Sequence, residues 1–302
     1  MCCALSACVL IPAPMMALLP FTIAAAELAH WLVAFQVLVL LLVWRSGRRW
    51  VRVVAVSLAI CALPLMQFRG FAPGAGSVRD RRVAVVDIYG GAWQRGSPKD
   101  NAAFHKFLES RGYAVYAIDY RHAPAVHFPA QLDDVRAAIE RVRSQPGGRR
   151  LVLCGRSSGA ELALLAGYKW TDGIAGVISF YGPTDLTAGY ADVPFPDPID
   201  ERGVLRTYLG GTPRELPELY RAASPITYVR PGLPPTLLIH GLRDHIVKPR
   251  FSRELQRALA GSGNRVELVE LPWSEHAFDF APGGIGRWRS WKAVAEFLER
   301  VE

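Results

Sequence analysis

The strongest constraint on the fold of this chain is the stretch LVLCGRSSGAELALL, residues 151–165. Leu151 to Leu153 read as a short buried strand, and Ala160, Leu162, Ala163 and Ala166 have the spacing of a helix that begins just after the serines. Between them lies Gly155-Arg156-Ser157-Ser158-Gly159, a G-x-S-x-G turn. Where a strand feeds directly into a helix the two backbones crowd together, so glycines on either side of the serine remove Cβ atoms and permit a sharp turn that holds the hydroxyl out. A plain Gly/Ser connection has the same composition, so the rest of the chain must supply a base, an acid and donors for a developing anion.

From residue 83 onward short apolar runs alternate with amphipathic ones at βαβ spacing, which predicts an α/β fold with a mainly parallel sheet flanked by helices. Strands are expected at 83–88, 113–118, 150–154, 174–180, 235–240 and 265–271, with helices near 98–110, 130–143, 158–168, 249–260 and 287–300. The last helix is expected to turn Trp288, Trp291, Val294, Ala295 and Leu298 toward the core. Residues 182–234, with VPFPDPID and RPGLPP, interrupt the alternation and are expected to form a small lid or wall over the carboxyl ends of the strands.

The first 70 residues differ in composition from the rest. Two apolar runs, 28–44 and 51–68, approach the roughly 20 residues a membrane span requires, with Trp31, Trp44 and Trp50 available as interfacial anchors. A third run, about 4–26, is broken by Pro12, Pro14 and Pro20. The expected organisation is a membrane-anchoring segment, 1–70, with two or three transmembrane helices, ahead of a catalytic domain, 71–302. Four arginines in RSGRRWVR, residues 45–52, place that loop on the cytoplasmic side and send the catalytic domain to the outer side, against which stand Arg69, Arg79, Arg81 and Arg82. The net charge of +8 divides evenly: residues 1–70 hold five arginines and one glutamate, and the remainder 30 basic and 26 acidic side chains. No concentrated basic face results, and nucleic acid is not an expected partner.

Nucleophilic catalysis by a serine needs a base within hydrogen-bond reach and an acid that orients the base. LLIHGLRDHIV ends a strand at His240 and presents Asp244 in the next loop, and LVELPWSEHAF ends the following strand near Leu271 and presents His276. Both follow strand ends, as Ser157 does, so all three are expected at one edge of the sheet. Asp185 in YGPTDL is a rival acid, and His240 and His245 are read as structural neighbours. Oxyanion donors are expected from the backbone N–H of Ser158 and from the Gly90-Gly91 turn in VVDIYGGAW.

With these residues in place the chain resembles the α/β-hydrolase fold, and within it the hormone-sensitive-lipase-like carboxylesterases and the related BD-FAE-like esterases. DYRHAPAVHFPAQLDDV, residues 119–135, is similar to that group's D-Y-R-L-A-P-E…F-P-A…D-V segment; GRSSGAELALL is similar to its elbow and helix; ASPITYV and PPTLLIHGLRD are similar to the run leading to its acid. The resemblance covers about residues 83–300. It implies Ser157 as nucleophile, His276 as general base and then acid, Asp244 as orienting carboxylate, and Gly90, Gly91 and Ser158 around the oxyanion. This sequence departs from the family pattern at Tyr89, where the H-G-G-G motif carries histidine, at Ala92 in place of the last glycine, and at His122 in place of the usual leucine. Only about a dozen residues separate the last apolar run from the first strand, so the sheet is expected to be trimmed on that edge.

The implied activity is a membrane-anchored serine hydrolase that cleaves small-molecule or lipid-like esters through an acyl-enzyme, with no metal and no cofactor. An amidase-type member, such as an arylformamidase or acylaminoacyl hydrolase, and a catalytically silent ligand-binding member of the fold are the alternatives.

Overall fold

The computed structural model describes residues 8–10, 13, 15–43, 48–62, 81–145 and 148–302. Among the described residues the longer helices that come first are α1 (Leu19–Glu27), α2 (Ala29–Val43) and α3 (Arg48–Ala62). Then strands and helices alternate: β1 (Val83–Ile88), α4 (Ala102–Glu109), β2 (Ala114–Ile118), α5 (Ala130–Arg143), β3 (Arg150–Arg156), α6 (Ser158–Lys169) and β4 (Ile174–Phe180). Three short helices follow, α7 (Leu186–Ala191), α8 (Glu201–Leu209) and α9 (Pro217–Ala222), in the segment where the sequence breaks its rhythm. The chain closes with β5 (Thr236–Gly241), α10 (Arg250–Gly261), β6 (Val266–Leu271) and α11 (Ile285–Val301).

All six strands pair in parallel, in the order β2-β1-β3-β4-β5-β6. Every residue of β1, β4 and β5 is buried, as continuous apolar strands of a doubly covered parallel sheet must be. Alternate side chains serve the two faces. Val83, Val85, Val152, Cys154, Leu237 and Ile239 pack with Phe104 and Leu108 of α4 and with Val294 and Leu298 of α11. Ala84, Val86, Ile88, Leu151, Leu153 and Leu238 pack on the other side with Val135, Leu162, Leu165, Leu255 and Leu259 of α5, α6 and α10. The winding reverses between β1 and β3, so a crevice opens at their carboxyl ends, where the β3–α6 turn lies. Among the described residues β2 is one edge of the sheet and β6 the other.

Two expectations need adjustment. The buried face of α11 comprises Ile285, Ala293, Val294, Phe297, Leu298 and Val301, while Trp288 and Ala295 are half-buried. Trp291 packs on the core beside Phe104 and Phe107 with Arg287 over its outer face, whereas Trp288 lies under the cation of Lys292. At the N-terminus, α2 and α3 are 15 residues each, about 22 Å long against a hydrocarbon layer of about 30 Å. Among the described residues no single helix is long and apolar enough to cross a membrane; Met16–Glu27 and Ala29–Leu41, bent by 72° at their junction, meet that test only together. Pro12, Pro14, Trp44, Arg45, Arg69 and Arg79 lie outside the described residues, and Arg48, Arg49 and Arg52 begin α3 instead of forming a loop.

The segment around α1 packs against the α/β body. Ala13 and Leu19 cluster with Ile246, Val247 and Phe251. The fully buried Glu27 accepts hydrogen bonds from the Ser274 hydroxyl at 2.6 Å and from the Gly286 N–H, and Arg243 donates to the Val9 carbonyl and, at 2.7 Å, to that of Leu10.

Candidate active site

β3 runs directly into α6 through Ser157, which takes φ 52° and ψ −122°. For a residue with a Cβ this conformation costs roughly 1–3 kcal/mol and persists only where its surroundings impose it. They do so through the flanking glycines: a Cβ at Gly155 would stand 2.1 Å from the Gly159 carbonyl oxygen, and one at Gly159 would stand 2.3 Å from the carbonyl oxygens of both Ile88 and Tyr89. The turn is therefore as tight as the sequence requires, and it points the Ser157 hydroxyl into the crevice.

His276, in the loop after β6, lies with Nε2 3.1 Å from Ser157 Oγ. Its Nδ1 is 2.7 Å from Asp244 Oδ2. A carboxylate only accepts, so Nδ1 carries the proton and Nε2 is left to accept from the serine. Asp244, buried in the loop after β5, also receives the N–H groups of Ile246 and Val247 at 2.8 Å on Oδ1. His240 donates Nε2–H to the Val247 carbonyl at 2.8 Å, sits 3.3 Å from Asp244 Oδ2, and accepts from Ser252 at Nδ1. Burial pushes the Asp244 carboxyl up, but the charge of His276 and the hydrogen bonds from His240 and His276 outweigh it and hold the group below the ordinary carboxylate range.

The rival residues are engaged elsewhere. Asp185 caps α7 by accepting from the Ala188 N–H at 2.9 Å, and His245 pairs with Glu275 at 2.6 Å.

Gly90 approaches closely, since a Cβ there would lie 3.1 Å from that of Ser157 and 2.7 Å from the Arg156 carbonyl oxygen. Ser158 opens α6, so its N–H is among the first-turn donors without an intrahelical acceptor. Gly91, at φ 135°, continues the turn. Two of the three sequence departures, Tyr89 and His122, meet: Tyr89 Oη and His122 Nε2 are 2.8 Å apart. A cleft of about 280 Å³ runs over Ser157 and His276 and is lined by Gly90, Gly91, Tyr181, Ile246 and Phe280, by Ile199 ahead of α8, and by Met16 and Leu19 from the N-terminal segment.

Beneath the turn lies a charged cluster that sequence reasoning missed. Arg156, fully buried, donates to Asp279 at 2.6 Å and to Asp87 at 3.1 Å, with its guanidinium between the rings of Phe104 and Phe180. Asp87 also takes Asn101 at 2.7 Å and His105 at 2.8 Å, and Tyr181 donates to Asp279 at 2.5 Å while its ring packs against His276. The available signals were an aspartate inside the strand VAVVDI and an arginine inside the turn itself.

Comparison with known proteins agrees with this architecture. A family model described as BD-FAE matches residues 76–259, more than half of the chain. The chain belongs to the BD-FAE family. Two relatives from Mycobacterium tuberculosis, esterase LipQ and esterase LipC, are each 31% identical over 72% of this chain, covering 55% and 58% of their own lengths. The chain thus spans a little over half the length of these curated relatives. Among solved structures, Thermogutta terrifontis esterase 2 phosphonylated by sarin is 26% identical, with a TM-score of 0.62 over 76% of this chain and 88% of that one. This BD-FAE member accordingly has the α/β-hydrolase fold and falls among esterase-type proteins of that fold.

Proposed function

We propose that this BD-FAE protein is a serine hydrolase that cleaves carboxylic esters through an acyl-enzyme, with Ser157, His276 and Asp244 as its triad. The observation that carries the reading is the hydrogen-bonded run from Ser157 Oγ through the His276 ring to Asp244, inside the cleft at the carboxyl ends of the sheet. Ser157 Oγ attacks the ester carbonyl carbon as its proton passes to His276 Nε2, and Asp244 holds the imidazolium that results. The negative oxygen of the tetrahedral intermediate is met by the N–H groups of Ser158, Gly90 and Gly91. Collapse breaks the bond to the alcohol, which takes the proton from His276. Water, deprotonated by the same ring, then releases the acid and regenerates the serine.

Membrane anchoring through the N-terminal segment belongs to the same reading. Apart from Phe195 and Phe280, the large apolar side chains exposed among the described residues, Trp31, Phe35, Leu38 and Leu41 with them, all precede residue 63. Exposed apolar side chains concentrated in one segment mark a membrane or protein contact. Because Met16 and Leu19 of that segment also line the cleft, an ester held in a lipid layer has a short path to Ser157. The catalytic domain is assigned to the extracytoplasmic side on the arginines of residues 45–52.

The test is labelling of the membrane fraction with a fluorophosphonate, comparing wild type with Ser157→Ala and His276→Ala. Labelling of the wild type alone is expected, with aryl esters hydrolysed faster than matched anilides. A folded wild type that takes no label, or label that persists in Ser157→Ala, would overturn the assignment.

A further inference from the structure

Tyr89 precedes the glycines of the expected oxyanion turn, and each end of the residue is fixed separately. Its backbone carbonyl accepts from the Tyr120 hydroxyl at 3.2 Å and abuts Gly159, where an added Cβ would come within 2.3 Å. Its ring lies flat on that of Tyr120, 4.5 Å between centroids, and against Gly96, where a Cβ would come within 2.5 Å of Cδ2. Its phenol reaches Asp119 Oδ1 at 2.5 Å and His122 Nε2 at 2.8 Å. A phenol has one proton, and a carboxylate can only accept it. His122 Nε2 must therefore carry a hydrogen and donate to the phenol oxygen, so the order is His122 to Tyr89 to Asp119. Asp119 Oδ1 accepts in addition from the Tyr120 N–H at 2.9 Å, which ties the phenol and its stacking partner to one carboxylate.

We propose that His122 is a positioning residue for the oxyanion turn: by donating to the Tyr89 phenol it fixes the Tyr89-Gly90 peptide, and with it the direction of the Gly90 N–H. The inference rests on the esterase reading above. The peptide unit is planar, so a carbonyl held on one side sets the N–H on the other. Donors aimed in advance at a developing oxyanion act in the transition state more than in the bound substrate, so a loosened turn lowers kcat and leaves KM nearly alone.

The test uses the full chain in detergent, with p-nitrophenyl butyrate as probe and amide hydrogen exchange followed over residues 85–95. His122→Leu is expected to lower kcat roughly tenfold, a fraction of what deleting an oxyanion donor costs, with KM within about twofold and faster exchange in the turn. His122→Gln keeps an N–H donor near the same place and is expected to recover most of the rate. Tyr89→Phe with His122→Leu is expected to be no slower than Tyr89→Phe alone, because the two act through one hydrogen bond. Equal rates and equal exchange in wild type and His122→Leu would overturn the proposal, as would a slow His122→Leu that glutamine leaves equally slow. A wild type inert toward the probe would sink the esterase reading itself; exchange alone would then judge the pin, and an unchanged turn in His122→Leu would reject it.

Discussion

Glu27 and Ser274 stand 247 residues apart in the chain, yet the Ser274 hydroxyl donates to the Glu27 carboxylate at 2.6 Å, two positions before His276. The same carboxylate takes the Gly286 N–H at the start of α11. The loop that carries the histidine is thus tied at both ends to α1, the helix whose first residue, Leu19, lines the cleft. The N-terminal segment is a wall of the site as well as an apolar surface.

If α1 bounds the acyl chain, its bulk sets the chain length accepted. Leu19→Trp is expected to lower kcat/KM for long acyl esters by about tenfold while acetyl esters stay within about twofold, since a few methylenes in an apolar pocket are worth 1–3 kcal/mol. Hydrolysis of a series of p-nitrophenyl esters from acetate to laurate measures this.

Asp244→Asn replaces an acceptor-only carboxylate with an amide that can favour the wrong ring tautomer of His276. The expected loss in kcat is about 10³–10⁴-fold. The variant also reports on stability. The Asp244 pKa is lower in the folded chain than in the unfolded one, so its contribution is present at neutral pH and is lost as pH falls below about 4 toward the folded value. The gap between thermal melts of wild type and Asp244→Asn should therefore be constant from pH 7 to about 5 and begin to narrow toward pH 3.

Glu201, at the start of α8, has the opposite sign. Burial first, then the neighbouring charges of Asp197 and Asp244, push its carboxyl up to about 8 against the partial relief of Lys248. The folded state thus holds the proton more tightly, and stability falls as pH rises from about 4.5 through 8. Glu201→Gln is expected to remove that slope and to raise stability at pH 8.5 by on the order of 2 kcal/mol, with little change at pH 5. Urea titrations at the two pH values check the sign.

Arg156→Met leaves Asp87 and Asp279 facing each other without their cation. Breaking a buried ion network by removing one partner costs about 3–5 kcal/mol, and protonation of the stranded carboxylates should make the loss smaller at pH 5 than at pH 8. Denaturation midpoints at both values distinguish this from a simple packing defect, whose cost would not depend on pH.

The six strands were legible because each is a short apolar run bounded by turn residues, and Ser157, Asp244 and His276 were legible because each follows such a run by a few positions. What the sequence hid depends on partners chosen in three dimensions. Arg156 and Asp279 are 123 residues apart, and Tyr89 and His122 could be noted as departures but not as neighbours. The stripe on α11 was legible at Val294, Leu298 and Trp291, which pack into the core, but not at Trp288, which lies half-buried under Lys292. The apolar runs near the N-terminus could not disclose that α1 would bury a glutamate against the histidine loop.

The cluster around Arg156 gathers side chains from β1, from β3 and from the loop beyond β6 into one dry space. Were the histidine loop to lift away, Arg156 would lose Asp279 and keep only Asp87 as its buried counter-charge. The histidine loop is thereby held to the sheet by charge as well as by packing.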